Sequence, residues 1–335
     1  MAAAPAELAF VPAFEPAQEL MLQRWRGRPG RVEVWYSTVT DPATGTGLWL
    51  HHELVAPADG TTAYTHGWAA VFPPDAPPAM ARFGPYPWTV PASAPPGCAA
   101  PAVFGSGPVG VATRRLWGEA DEASWDLRLT GGGEPLHPFP SWAWRRDVLP
   151  GAQVVPLPTA RFTGNVHVGP SKLDLLDAPG CTARVYGHGN ARRWAWLHAD
   201  LGGGDVCEVV TAVPNRPGMR RLRPLAFVAL RVGGVDLPPG DALRNATRYH
   251  AELDLPAWRV EGRFGRWRLT VEVTQPPSAT LAVDYRDPDG SAAVCHNSER
   301  ADARITLARR ESGGWREKRH WQLRGTAHAE VGLRP

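Results

Sequence analysis

Residues 193–201 read RWAWLHADL. Taken two at a time, Trp194, Trp196, His198 and Asp200 fall on one face and Ala195, Leu197, Ala199 and Leu201 on the other. That is the alternation of a β-strand, not the three-to-four spacing of a helix. The first face is large and partly polar. A buried indole N–H or imidazole needs a partner, so the face suits the inside of a barrel that holds an apolar ligand with a few polar groups. A plain packed core, with His198 turned to solvent, fits the alternation equally well.

Working outward, the same short β-rich runs recur along the chain: RVEVWYSTV, GLWLHHELV, TAYTHGWAAVF, SWDLRL, TARVYGH, VCEVVTAV, LAFVALRV, RWRLTVEV, TLAVDY and RITLARR, separated by Gly, Pro, Asp or Asn clusters. Strands are too frequent and helical periodicity too rare for βαβ units, so the fold class is all-β and mostly antiparallel, a barrel or sandwich with helix well below one third. Helix is expected only from Pro16 to about Trp25 and from Ser141 to Val148. The stretch 73–108 is too proline-rich for a central strand and is expected to form a loop over one barrel end. A break at 213–223, VPNRPGMRRLR, is the expected domain junction. The resulting division is an N-terminal extension (1–24), a first β domain (25–212) and a second (213–335).

Composition bounds the function. With 335 residues, 43% hydrophobic and carrying 15 Trp, the chain has ample material for a large core. No apolar run reaches the roughly 20 residues of a transmembrane helix, although surface contact with a membrane stays open. The net charge of +3, with acids interleaved among bases, argues against a nucleic-acid partner. Cys98, Cys181, Cys207 and Cys295 form no CxxC pair, and the N-terminus lacks a basic segment before its apolar stretch, so a cytoplasmic location is expected.

Three runs place histidine beside aromatic residues on one face: Trp194, Trp196 and His198; Tyr64, His66 and Trp68; Trp49, His51 and Glu53. A His beside a carboxylate in an apolar pocket is tuned for proton transfer near neutral pH, which makes His51 and Glu53 a candidate acid–base pair. The competing reading sets His51 or His52 on a solvated outer face. His188 and Asn190 lie between glycines in YGHGN, where polar side chains can point into a barrel mouth or simply make a turn. No GxSxG elbow, HExxH or kinase signature is present. His51, His52 and His66 could ligate a metal only with help from elsewhere, because neighbours on a strand face opposite ways; no metal is expected.

The run EVWYSTVTDPATGTGLWLHHELV, the segment FTGNVHVG…GCTARVYGHGNARRWAWLHADLGGGDV and the closing AHAEVGLRP resemble the two-domain lipocalin-like family that includes carotenoid 1,2-hydratases (hydroxyneurosporene synthases), AttH-like proteins and, more distantly, tocopherol cyclases. The family's Asp-His-x-Trp-like block appears here as GHGNARR, which keeps a His without the Asp or the adjacent Trp. The resemblance implies two lipocalin-like β-barrels or sandwiches around an apolar cavity. It further implies hydration, cyclisation or isomerisation of an isoprenoid or polyketide-like substrate without a cofactor, with His188 as proton donor or orienting group. In that reading Trp49, Tyr64, His66, Trp68, Asn190, Trp194, Trp196 and His198 line the cavity. The alternative is a non-catalytic carrier of the same hydrophobic small molecule.

Overall fold

A computed structural model describes residues 16–91, 101–215, 218 and 223–334. The chain is all-β, 64% strand and 6% helix, in two antiparallel lipocalin-like sheets. The first is formed by β1 (Arg31–Thr40), β2 (Gly47–Ala56), β3 (Tyr64–Phe72), β4 (Ala79–Pro87), β5 (Ala102–Ser106), β6 (Val109–Ala112), β7 (Arg115–Ala120), β8 (Ala123–Gly132), β9 (Gly151–Val168) and β10 (Ser171–Gly187). The second comprises β11 (Arg193–Gly202), β12 (Asp205–Val213), β13 (Leu225–Val232), β14 (Val235–Leu237), β15 (Tyr249–Leu253), β16 (Ala257–Phe264), β17 (Trp267–Thr274), β18 (Leu281–Arg286), β19 (Ala292–Glu311) and β20 (Gly314–Leu333).

The strand order of the first sheet is β4-β3-β2-β1-β10-β9-β8-β7-β6-β5, and its two edge strands come into contact as the sheet curls. Both edges come from the proline-rich stretch 73–108. Within the expected structureless loop, 79–87 and 102–106 are therefore edge strands, where a missing N–H leaves no gap in a ladder; residues 92–100 lie outside the described residues. The second sheet runs β14-β13-β12-β11-β20-β19-β17-β16-β15, with β18 paired to β19 alone.

The chain crosses from one sheet to the other between Gly187 and Arg193. The expected junction at 213–223 instead connects β12 to β13 inside the second sheet, and residues 216–217 and 219–222 of it are not described. The reason is pairing: β11 bonds to β12 on one side and to the C-terminal β20 on the other, so it is a central strand of the second unit. Of the expected N-terminal extension, 1–15 lie outside the described residues, and α1 (Pro16–Met21) closes one end of the first barrel. α2 (Ser141–Arg145) does the same with Trp144.

Each sheet wraps its own core. Trp35, Leu48, Leu50, Leu54, Phe104, Trp125 and Phe162 fill the first. Ala195, Leu197, Ala199, Val209, Trp258, Ile305 and Val331 belong to the second. The buried Glu33 and Arg184 form an ion pair inside the first barrel, and Arg184 also donates to the carbonyls of Leu20 (2.6 Å) and Leu22 (2.8 Å). Glu33 accepts from the backbone N–H groups of Arg24 (2.7 Å) and Trp25 (2.8 Å), so this pair ties the N-terminal segment to the barrel. The outer faces of the two sheets pack against each other in a seam, where Val32, Val34, Tyr36 and Cys181 meet Trp196, Val206 and Ala229. Tyr36 and Trp196 meet edge to face, 5.3 Å apart.

Candidate functional site

The alternation read from RWAWLHADL separates as expected, but the large face points out of the barrel. Ala195, Leu197 and Ala199 fill the second core, while Trp194, Trp196 and His198 face the seam. Trp49 and Trp68 likewise lie outside the first barrel, packed with Phe72 and with Val283 of β18. The aromatic and histidine faces of the two sheets are thus brought together between the barrels and not within either one.

One cluster forms on β2 and β3. Register sets Glu53 opposite His66 and His51 opposite Trp68. Oε2 of Glu53 lies 3.1 Å from His51 Nε2 and 3.8 Å from His66 Nε2. His51 stacks flat on Trp68 at 4.0 Å, with Trp49 edge-on to both. Tyr285 reaches across from β18 to meet His51 at 5.7 Å and Trp68 at 5.4 Å. Burial, with some help from the Arg82 charge, pushes His51 down to about 3, so its imidazole is neutral at ordinary pH. Burial raises the Glu53 carboxyl, and the charges of His66 and Arg82 oppose that rise only in part. His66 is lowered by burial against the pull of Glu53. It is the member of the trio that reaches the surface, with 22% of its side chain exposed.

Beside it opens a cavity of about 330 Å³ lined by Thr62, Ala63, Tyr64, Pro85, Tyr86 and Pro87. The Tyr64 ring stands 5.6 Å from that of His66. A buried carboxylate with an imidazole that reaches the surface beside Tyr64 is equipped to give or take a proton.

A second cluster occupies the seam on the other sheet. His198 Nδ1 lies 2.8 Å from Glu208 Oε2, and Glu208 Oε1 accepts from Trp196 (2.5 Å) and from Gln153 of β9. Burial disfavours charge on His198, but Cys181 and the Glu208 carboxylate outweigh it and hold His198 well above its ordinary value. Trp194 donates to Glu330 at 2.8 Å. Beside it the buried Glu299 carboxylate lies 2.6 Å from His328 Nδ1. This cluster reads as a charged rivet between the sheets.

The remaining expected residues stand apart. His188 follows the last residue of β10, where Arg31 lies 3.0 Å from its Nδ1 and Asp147 3.7 Å from its Nε2. By strand spacing it is roughly 14 Å from Glu53 along and across the sheet. Asn190 is bound to Asp287 through its backbone (3.0 Å) and its amide (2.7 Å).

Sequence reasoning missed Tyr285, Arg82, Glu208 and Glu299. Only Glu208 left a readable signal: folding the hairpin at the Gly202–Gly204 turn sets it opposite His198. Tyr285 arrives from a strand more than two hundred residues away, which no local pattern reveals.

Residues 137–333 match the model of the tocopherol cyclase-like family. Uncharacterized proteins of two Mycobacterium tuberculosis strains, H37Rv and CDC 1551 / Oshkosh, are each 49% identical over 315 residues, covering 93% of this chain and 89% of theirs. The crystal structure of an AttH-type protein of Nitrosomonas europaea superposes with a TM-score of 0.56 at 13% identity, over 90% of this chain and 92% of that one. Kievitone hydratase of Nectria haematococca covers 90% of this chain and 88% of its own at 11% identity, with a TM-score of 0.48.

Proposed function

The chain belongs to the tocopherol cyclase-like family, and from that premise we propose that it is a hydratase or cyclase that adds a proton to a C=C bond of an apolar, isoprenoid or polyketide-like substrate. The observation that carries this reading is the Glu53–His66–His51 trio, whose His66 ring stands 5.6 Å from that of Tyr64. The proton passes to the substrate from His66 at the rim, and Glu53 behind it, raised by burial, replaces that proton. Neutral His51 holds the far side of the carboxylate, and Trp68 holds His51. The carbocation formed is met by the faces of Tyr64 and Tyr86, each such contact worth roughly 0.5–2 kcal/mol. Water or an internal hydroxyl then bonds to the cation, and the proton it sheds returns through His66 to the Glu53 carboxylate.

At about 30 Å³ per water, the cavity has the volume of on the order of a dozen small groups. It therefore takes the reacting end of a long chain and leaves the rest outside. The test is incubation of the protein in D2O with linear isoprenoids, prenylated quinols and unsaturated polyketides, followed by mass spectrometry. Deuterium on carbon is expected with the wild type and about a hundredfold or more less with Glu53→Gln, while the thermal shift given by the ligand persists. Saturable binding without deuterium uptake by any substrate would make the protein a carrier, and the absence of binding across the panel would overturn both readings.

A further inference from the structure

The ends of two neighbouring hairpins concentrate positive charge that the chain average conceals. The β16–β17 end carries Arg263, Arg266 and Arg268, and the β19–β20 end carries Arg309, Arg310, Arg316, Lys318 and Arg319. These eight cations face two carboxylates, Glu311 and Glu317, in a chain whose whole formal charge is +3, so the remainder is net acidic. The ends are adjacent because β17 pairs with β19, setting Trp267 opposite Arg309, while Arg309 also pairs with Arg316. Arg316 and Lys318 share Glu311. Among the described residues Arg266, Arg310 and Arg319 are exposed and form no ion pair. Some forty residues separate the two segments in sequence, which is why charge read along the chain shows no concentrated basic face.

Two indoles lie among these cations, Trp267 and Trp315, both half-buried. Arg263 and Arg268 cover Trp315 at 5.4 and 5.0 Å, and Arg309 covers Trp267 at 5.6 Å. Guanidinium groups on those ring faces leave them closed to stacking by nucleic-acid bases. Lipid headgroup phosphates need only cations on a projecting tip, and half-buried Trp suits the headgroup layer. We propose that these two hairpin ends dock the protein on an anionic lipid surface. The patch belongs to the second sheet and the cavity is lined by residues of the first, so it acts as an anchor and not as the mouth of the cavity. The inference is independent of the chemistry assigned to Glu53.

The test is co-sedimentation of the full chain with vesicles of phosphatidylcholine alone or with 30% phosphatidylglycerol, at 0.1 M and 0.5 M salt. Binding is expected only with the anionic lipid and to be lost at high salt, where the screening length shrinks. Each basic residue near such a surface is worth about fivefold in affinity, so Arg266→Ser, Arg310→Ser and Arg319→Ser together should weaken binding on the order of a hundredfold. Arg128→Ser, on the exposed face of β8, should leave it unchanged. No binding to the anionic vesicles, equal binding to both lipids, an unaffected triple variant, or tighter binding to a nucleic-acid duplex at the same salt would each overturn the proposal.

Discussion

His51 and His52 are adjacent in the chain and lie on opposite sides of one sheet. His51 faces the seam against Trp68, whereas His52 enters the first core, where it meets Phe83, Phe104 and Trp125. The Nε2 of His52 has no partner there, and burial, the neighbouring His51 and a weakly compensating Trp35 carbonyl bring it down to about 3. A histidine depressed in the folded state contributes stability above its unfolded value near 6.5 and loses it as pH falls towards 3. Between pH 6.5 and 5 this one group should therefore cost about 1.6 kcal/mol, its slope approaching about 1.4 kcal/mol per pH unit at the lower end. His52→Leu should lack that slope, which denaturant titrations of both proteins at pH 7 and pH 5 will measure. That the two histidines point opposite ways is legible from alternation alone. Which of them faces the core is not, because every residue of β1 and β2 is buried. A strand caught between a barrel interior and a seam has no solvated face to give the contrast.

Strand β2 begins in close contact with β19 of the other sheet. A Cβ on Gly47 would stand 2.5 Å from the Cβ of Glu299 and 2.6 Å from its carbonyl oxygen, both on β19 of the other sheet. Gly47→Ala should wedge the seam and cost about 1–3 kcal/mol, lowering the melting temperature by several degrees in a calorimetric scan. Gly313→Ala, in open space at the β19–β20 turn, should leave it within a degree. Elements themselves were largely readable: the alternating runs became strands, and the proline-rich stretch supplied edges because edges tolerate a missing donor. Their assignment to one sheet or the other was not. The 213–223 break looks like a linker from its composition, yet partners decide membership, and β11 finds its second partner over a hundred residues later.

The whole molecule is held by a seam that is both apolar and ionic. Tyr36, Cys181 and Gln153 of the first sheet meet Trp196 and Glu208 of the second, and Trp49 and Trp68 are covered by Val283 and Tyr285. Separating the sheets would put these rings and buried charges into water together, so the two should melt as one. Calorimetry should give a single transition with equal calorimetric and van't Hoff enthalpies, and two resolved transitions would contradict a shared seam. The position of β20 between β11 and β19 also bears on how the chain is made. The ribosome delivers β11 and β12 early and the strand that completes them over a hundred residues later. At about 5–20 residues per second, β11 waits on the order of ten seconds with one edge bare. A chain cut before Gly314 would thus leave a second sheet with no centre, and a nascent chain stalled there would present a ready template for aggregation.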